Sequence, residues 1–211
     1  YDARLEQKEW NTVDFDDSKW HGVGYRAVPS QNVVSQQVQP IRAVDTLTVK
    51  SWKQLNDTTY VFDFGQNMAG VTHIKVAGEA GTVIQMKHGE RLYENGKVNT
   101  SNIDVYHRPV DNSDPFQTDI LILSGKGEDE FVARFNYKGF RYVEVTSSKP
   151  ITLNKKSLTA YFVHSDVEKI GKVIASNEII NKLCKASDNS YLSNLMGYPT
   201  DCPQREKNGW T

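Results

Sequence analysis

From the first residues to about position 160, apolar and polar side chains alternate in short runs broken by Gly, Asn, Asp and Ser. That spacing belongs to an antiparallel β-sandwich, jelly-roll-like in its strand count. The period of two is clearest in "TLTVKSW" (46–52), "TTYVFDF" (58–64), "GVTHIKV" (70–76), "TVIQMKH" (82–88), "TDILILS" (118–124), "FVARFNY" (131–137) and "RYVEVTS" (141–147). In "FVARFNY" the alternation puts Phe131, Ala133, Phe135 and Tyr137 on one face, which predicts a strand with its aromatics in the core. "YENGKV" places Asn95 and Gly96 where a tight hairpin needs positive φ, and "SGKGEDE" reads as a polar turn without the spacing of a phosphate-binding loop.

After about residue 165 the period lengthens. Ile180, Leu183, Cys184, Tyr191 and Leu195 fall near one helical stripe, which predicts a helix of roughly twenty residues. Ser176 is placed to cap its first turn, Glu178 to favour its dipole, and Gly197 and Pro199 to end it. No second helical pattern follows, so the stripe is expected to dock onto the sandwich or to pair with another copy of the chain. The pattern divides the chain into residues 1–30, the trailing strands of a preceding sandwich, residues 31–160, a whole sandwich, and residues 161–211, a linker and the truncated start of a helical domain.

Charge narrows the partners. Twenty-five Lys and Arg face 26 Asp and Glu, so no basic field exists to hold a nucleic acid backbone. No apolar run is long enough to span a bilayer, and Tyr1 opens no signal peptide, so an exported parent would carry its leader upstream. Cys184 and Cys202 lack metal-ligand spacing, and two free thiols with no metal and no cofactor are expected.

The densest set of chemically useful side chains is "PTDCPQREKNGWT" at 199–211. With Gly197 and Pro199 breaking the helix, Asp201 to Trp210 should form a loop at the end of the helical layer. Asp201 and Glu206, five residues apart, flank Arg205, and Trp210 offers a flat apolar face. Directional hydrogen bonds from Asp201 and Arg205 suit sugar hydroxyls, and a shielded carboxylic acid can protonate a glycosidic oxygen. A plainer reading of the same residues is open: Asp201 as a helix cap, Arg205 and Glu206 as surface pairs, and Trp210 as core.

The stretch "PTDCPQREKNGWT" resembles the catalytic signature of the bacterial α-L-rhamnosidases, glycoside hydrolase family 78. "YDARLE" (1–6), "FDDSKW" (15–20), "FDFGQNMAG" (62–70), "AGT" (80–82), "HGERL" (88–92), "RFNYKGFRYVEV" (134–145) and "VHSD" (163–166) are similar to landmarks of that family in the same order. The resemblance implies β-sandwich domains preceding an (α/α)6 barrel, of which this chain holds only the first part. It implies Glu206 as general acid, Asp201 as a ligand of the rhamnose hydroxyls, and Arg205 and Trp210 completing that side of the subsite. The commonest family form has an Asp-Glu pair after the arginine and one more residue before Gly-Trp; here Glu206 follows Arg205 directly.

The resemblance also implies hydrolysis with inversion of a rhamnose-containing glycoside. Such a route needs a protonated acid and a second carboxylate about 6.5–9.5 Å away to activate water. Burial beside Trp210 would help keep Glu206 protonated, and the base is expected downstream of this chain. The alternative is a noncatalytic carbohydrate-binding or structural sandwich, with Trp10, Trp20 and Trp52 as a stacking platform, although isolated tryptophans in strand-rich sequence are more often core. Asp63, Gln66 and Asn67 read as turn residues, His88 and Glu90 as surface or interdomain hydrogen-bonding groups, and His164 and Asp166 as part of a docking linker.

Overall fold

The computed structural model describes residues 1–104 and 115–210. Its strands are β1 (Ile41–Thr48), β2 (Ser51–Asn56), β3 (Thr59–Ala77), β4 (Val83–Gly89), β5 (Arg91–Leu92), β6 (Val98–Asn99), β7 (Thr118–Ile122), β8 (Glu128–Val132), β9 (Lys138–Ser147) and β10 (Leu158–Ser165), and its one helix is α1 (Glu178–Ser193). Every ladder between these strands is antiparallel. The chain is thus an antiparallel β-sandwich followed by a helical segment. No described helix is long and apolar enough to cross a membrane.

The spine is β3. Its first half pairs with β2 on one side and β9 on the other, and its second half with β10 and β8. β1 extends the sheet beyond β10, and β4 and β7 extend it beyond β9. Apolar side chains from both halves meet in one core. Phe62, Ile84, Met86, Leu121, Val143 and Val145 come from the β2–β9–β4–β7 side, and Ile74, Val76, Leu158, Ala160 and Phe162 from the β8–β10 side. Burial of each of these side chains larger than Ala160 stabilises by roughly 1.5–3 kcal/mol. Where β3 shifts register between Asp63 and Met68, Asp63 accepts a hydrogen bond from the Gly65 amide (2.7 Å) and a two-pronged pair from Arg141 (2.8 Å each), which fixes the bend. The Arg141 guanidinium holds the Asp63 carboxyl below its ordinary range.

Several sequence expectations change. "TTYVFDF" and "GVTHIKV" are two halves of one strand, and "TLTVKSW" is split at buried Val49 and at Lys50, where β1 gives way to β2. "FVARFNY" does not continue as a strand. Val132 pairs with His73 and Lys138 with Gly70, so six steps of this segment face only three of β3, and the surplus residues loop outward. Phe131 and Ala133 stay against the sandwich, but Phe135 is fully exposed. At "YENGKV" Gly96 takes the left-handed conformation (φ 85°), closing the turn with its amide on the Tyr93 carbonyl; Asn95 instead uses its side chain to accept from Lys97. Residues 1–40 hold a 3-10 turn (Ala3–Leu5), a single parallel bridge from Asp2 to Ile122 and hydrogen-bonded turns, and Val13, Val23 and Tyr25 are exposed outside any strand.

The tryptophans are not core. Trp10 and Trp20 lie 6.5 Å apart on the surface, and Trp52 stacks on Tyr60 and Phe62 from the outside. His88, by contrast, is wholly buried rather than at a surface. It is hydrogen-bonded to Thr72 (3.0 Å) and to the Gln117 carbonyl (3.1 Å) and set edge-on against Phe140.

Helix α1 is capped by Asn177, whose side chain accepts from the Ile179 amide (2.9 Å), and not by Ser176. It runs sixteen residues, because at Asn194 the backbone amide turns back to the carbonyls of Tyr191 and Leu192. The expected stripe is not its docking face, since Ile180, Leu183 and Tyr191 are exposed. Docking uses its last turns. Leu192 packs on the core beside Met196, and Asn189 donates to the Asn67 carbonyl (2.6 Å) while accepting from Gln66 (3.2 Å).

Candidate active-site loop

Residues 199–210 form a closed loop. Bridges join Leu195 to Pro199 and Thr200 to Gly209; the Trp210 amide donates to the Pro199 carbonyl (3.1 Å) and the Asp201 amide to the Asn208 carbonyl (2.9 Å). The loop is anchored to the helix end by the Thr200 amide on the Asn194 carbonyl (2.7 Å). Helix, turn and loop are therefore one hydrogen-bonded piece.

Three of the four sequence-derived site residues converge on this loop. One Arg205 nitrogen lies 3.4 Å from an Asp201 oxygen and 3.8 Å from a Glu206 oxygen. Ligand atoms of Asp201, Cys202 and Glu206 all lie within 4.8 Å of one another. The Asp201 carboxyl is held below its ordinary range, first by a hydrogen bond with Glu206, then by Cys202 and Arg205. The Cys202 sulfur also accepts the Glu206 amide (3.4 Å) and, with Asp201, raises the Arg205 pKa. Both cysteines are free thiols.

Shelter is missing. The Glu206 side chain is 48% exposed and Trp210 is 73% exposed. The burial that the sequence reading asks of Glu206 is not supplied by Trp210 within this chain. Beside the loop lies an open groove of about 620 Å³ between β3 and α1, lined by Gln66, Asn67, Glu90, Asn189, Cys202 and Gln204. Glu90 does not lie along a strand; it follows β4 and accepts from the Asn67 side chain (2.6 Å).

The loop's underside rests on the segment that enters β9. A Cβ built on Gly139 would stand 2.7 Å from the Gln204 amide nitrogen and 3.0 Å from its Cα, so only glycine admits that approach. Lys207, at φ 55°, sends its ammonium to the Tyr137 carbonyl and across the Tyr137 ring, 4.5 Å from its centroid. Thr200 hydrogen-bonds to Tyr137 as well. Beneath them Lys138 and Asp119 form a buried ion pair (2.5 Å). Sequence reasoning passed over Lys207, Tyr137 and Gly139. The available signal was a glycine between aromatic residues at a strand entrance, in "NYKGF", which marks a close backbone approach.

Family models agree with this layout. The model described as the bacterial alpha-L-rhamnosidase concanavalin-like domain matches residues 53–164, more than half of the chain. The chain belongs to the bacterial alpha-L-rhamnosidase family. Two further models of these rhamnosidases, the N-terminal domain and the 6 hairpin glycosidase domain, match residues 1–45 and 168–211. An alpha-L-rhamnosidase of Alteromonas sp. (strain LOR) is 33% identical over all of this chain and 22% of its own length. The solved alpha-L-rhamnosidase of Dictyoglumus thermophilum is 39% identical with a TM-score of 0.86, over 98% of this chain and 22% of that one. The Streptomyces avermitilis alpha-L-rhamnosidase complexed with L-rhamnose is 32% identical with a TM-score of 0.85, over 100% of this chain and 20% of that one. The chain thus spans about a fifth of the length of these rhamnosidases.

Proposed function

We propose that this chain is part of a longer glycoside hydrolase that removes terminal α-L-rhamnose from rhamnosides by an inverting acid/base mechanism, with Glu206 as general acid. Asp201 and Arg205 hold the sugar's hydroxyls, and Trp210 packs on its C–H face. The observation that carries this reading is the clustering of Glu206, Asp201 and Arg205 on one hydrogen-bonded loop, within a family whose S. avermitilis member was solved with L-rhamnose. The Asp201 carboxyl is held below its ordinary range by Glu206, Cys202 and Arg205, which favours its ionised form as an acceptor for sugar hydroxyls beside the acid.

The same geometry bars Asp201 from being the base. Inversion needs its two carboxyls about 6.5–9.5 Å apart, on opposite sides of the sugar with a water between. Oxygens of Asp201 and Glu206 lie within 4.8 Å of one another, too close to flank a sugar from opposite sides. The base is therefore assigned to sequence beyond this chain, as is the wall that covers Trp210.

In the full-length enzyme Glu206→Gln is expected to slow substrates with poor leaving groups by about 100- to 10,000-fold, because the lost proton transfer is the step those substrates need. Activated aryl rhamnosides, which depart with little protonation, should lose much less. Steady-state kinetics on the two substrate types decide it; equal losses on both remove Glu206 from the acid's role.

A further inference from the structure

We propose that Lys207 is a positioning residue that straps the acid-bearing loop to the β-sandwich, so that the sandwich itself sets where the Glu206 carboxyl stands. The inference rests on the assignment of Glu206 and extends it to a residue that never touches the sugar.

Lys207 follows Glu206 directly, yet its side chain leaves the loop on the side facing the sandwich. The ammonium donates to the Tyr137 carbonyl and lies over the Tyr137 ring, a paired hydrogen bond and cation–π contact. Its backbone is left-handed, a strained conformation for a side chain of this size that persists only where the surroundings impose it. Two contacts on the same face impose it here: the Gln204 backbone seated on Gly139, and Thr200 bonded to Tyr137. Among the described residues no carboxylate lies within ion-pair distance of the Lys207 nitrogen, and Asp119 is engaged by Lys138. A half-buried ammonium without a counter-ion is not there for charge balance. Turning the peptide at residue 207 is what aims the preceding side chain outward. A slack strap lets that carboxyl wander by about an ångström, and misplacement of that size can cost about 100-fold in rate.

Burial, and then the neighbouring Lys138, push the Lys207 ammonium down to about 8, against the pull of Asp119 and Cys202. Tyr137, Lys138, Asp119 and Cys202 are the titratable groups facing it, and of these the Tyr137 hydroxyl is pushed up by burial.

The test uses the full-length enzyme with Lys207→Met, Lys207→Arg and Glu206→Gln side by side. Lys207→Met is expected to lower kcat on a poor-leaving-group rhamnoside by about 10- to 100-fold with KM within about twofold, and to cost an activated aryl rhamnoside less. Lys207→Arg, which can still reach the carbonyl and the ring, should recover most of the loss. Amide exchange should quicken at Asp201, Lys207 and Trp210 in the Met variant and stay unchanged in β4 and β9. Unchanged exchange at those three amides, a loss confined to KM, or failure of Arg to rescue overturns the proposal. If Glu206→Gln loses equally on both substrates, the acid assignment falls, and the strap is then judged on the exchange rates and the Arg rescue alone.

Discussion

At the scale of single residues, His88 carries the clearest consequence of burial. Removal from water opposes its charge and pushes its pKa down to about 4, with Lys138 acting in the same direction and Asp119 only partly offsetting them. The folded pKa lies below that of an unfolded histidine, about 6.5, so between these values the unfolded chain binds the extra proton and the folded one does not. Stability contributed by the neutral ring is present above about pH 6.5 and is lost as pH falls toward 4. A shift of this size corresponds to about 3 kcal/mol. Urea unfolding from pH 7 to pH 4 should show it as a steeper loss in the native protein than in His88→Gln; parallel curves would mean that the ring is not held neutral. The sequence showed a histidine on an alternating strand but not which face was inward, because Gly89 and Glu90 end the alternation beside it. The same ambiguity hid Trp52, whose ring covers the outside of the sheet on Tyr60 and Phe62. Asp201, Arg205 and Glu206 were legible for a different reason. They are close in sequence, so one loop brings them together whatever the rest of the fold does.

Elements were readable where one side faced the core and the other water. Ile84, Met86 and Leu121 alternate with exposed or half-exposed neighbours in β4 and β7, and those strands stand where the pattern puts them. The pattern fails at irregularities. A period of two cannot show that β3 bends between Asp63 and Met68, or that residues 134–136 loop outward, because a bulge is set by the partner strand. Helix α1 was misread on its face rather than its existence: its ends are fixed by local hydrogen bonds, but the sandwich meets the last turns and not the apolar stripe. That junction gives a prediction about elements. Adding a methyl at Gly139 drives a Cβ to within 2.8 Å of the Gln204 Cβ and 2.7 Å of its backbone nitrogen, and backbone cannot swing aside as a flexible side-chain tip can. Gly139→Ala should cost about 1–3 kcal/mol in urea unfolding, as overpacking does. Gly171→Ala, where nothing lies within 4 Å of the added carbon, should stay within about 0.5 kcal/mol. Equal effects would show that the loop is not seated on β9.

Among the described residues, the sandwich closes its apolar core while the helical segment leaves apolar side chains in water. Ile179, Ile180, Leu183 and Tyr191 of α1 face water, as do Trp210 and the Glu206 carboxyl, whereas the interior of the sandwich is closed. Inverting hydrolysis asks for an acid, a distant base, and walls that exclude bulk water while the sugar is held. On the proposed reading this chain supplies the acid and part of one wall. Oxygens of Glu206 and Asp201 lie within 4.8 Å of one another, short of the roughly 6.5–9.5 Å that inversion asks for, so on that reading neither activates water across a sugar from the other. The 211-residue chain by itself is therefore expected to show no turnover of an aryl rhamnoside above background, while the full-length enzyme turns it over under the same conditions. Activated aryl rhamnosides make this the most permissive assay, because they need the acid least. Turnover by the isolated chain that survives Glu206→Gln would point to a base and an enclosed site among these residues, and the division of labour argued for this family member would be wrong.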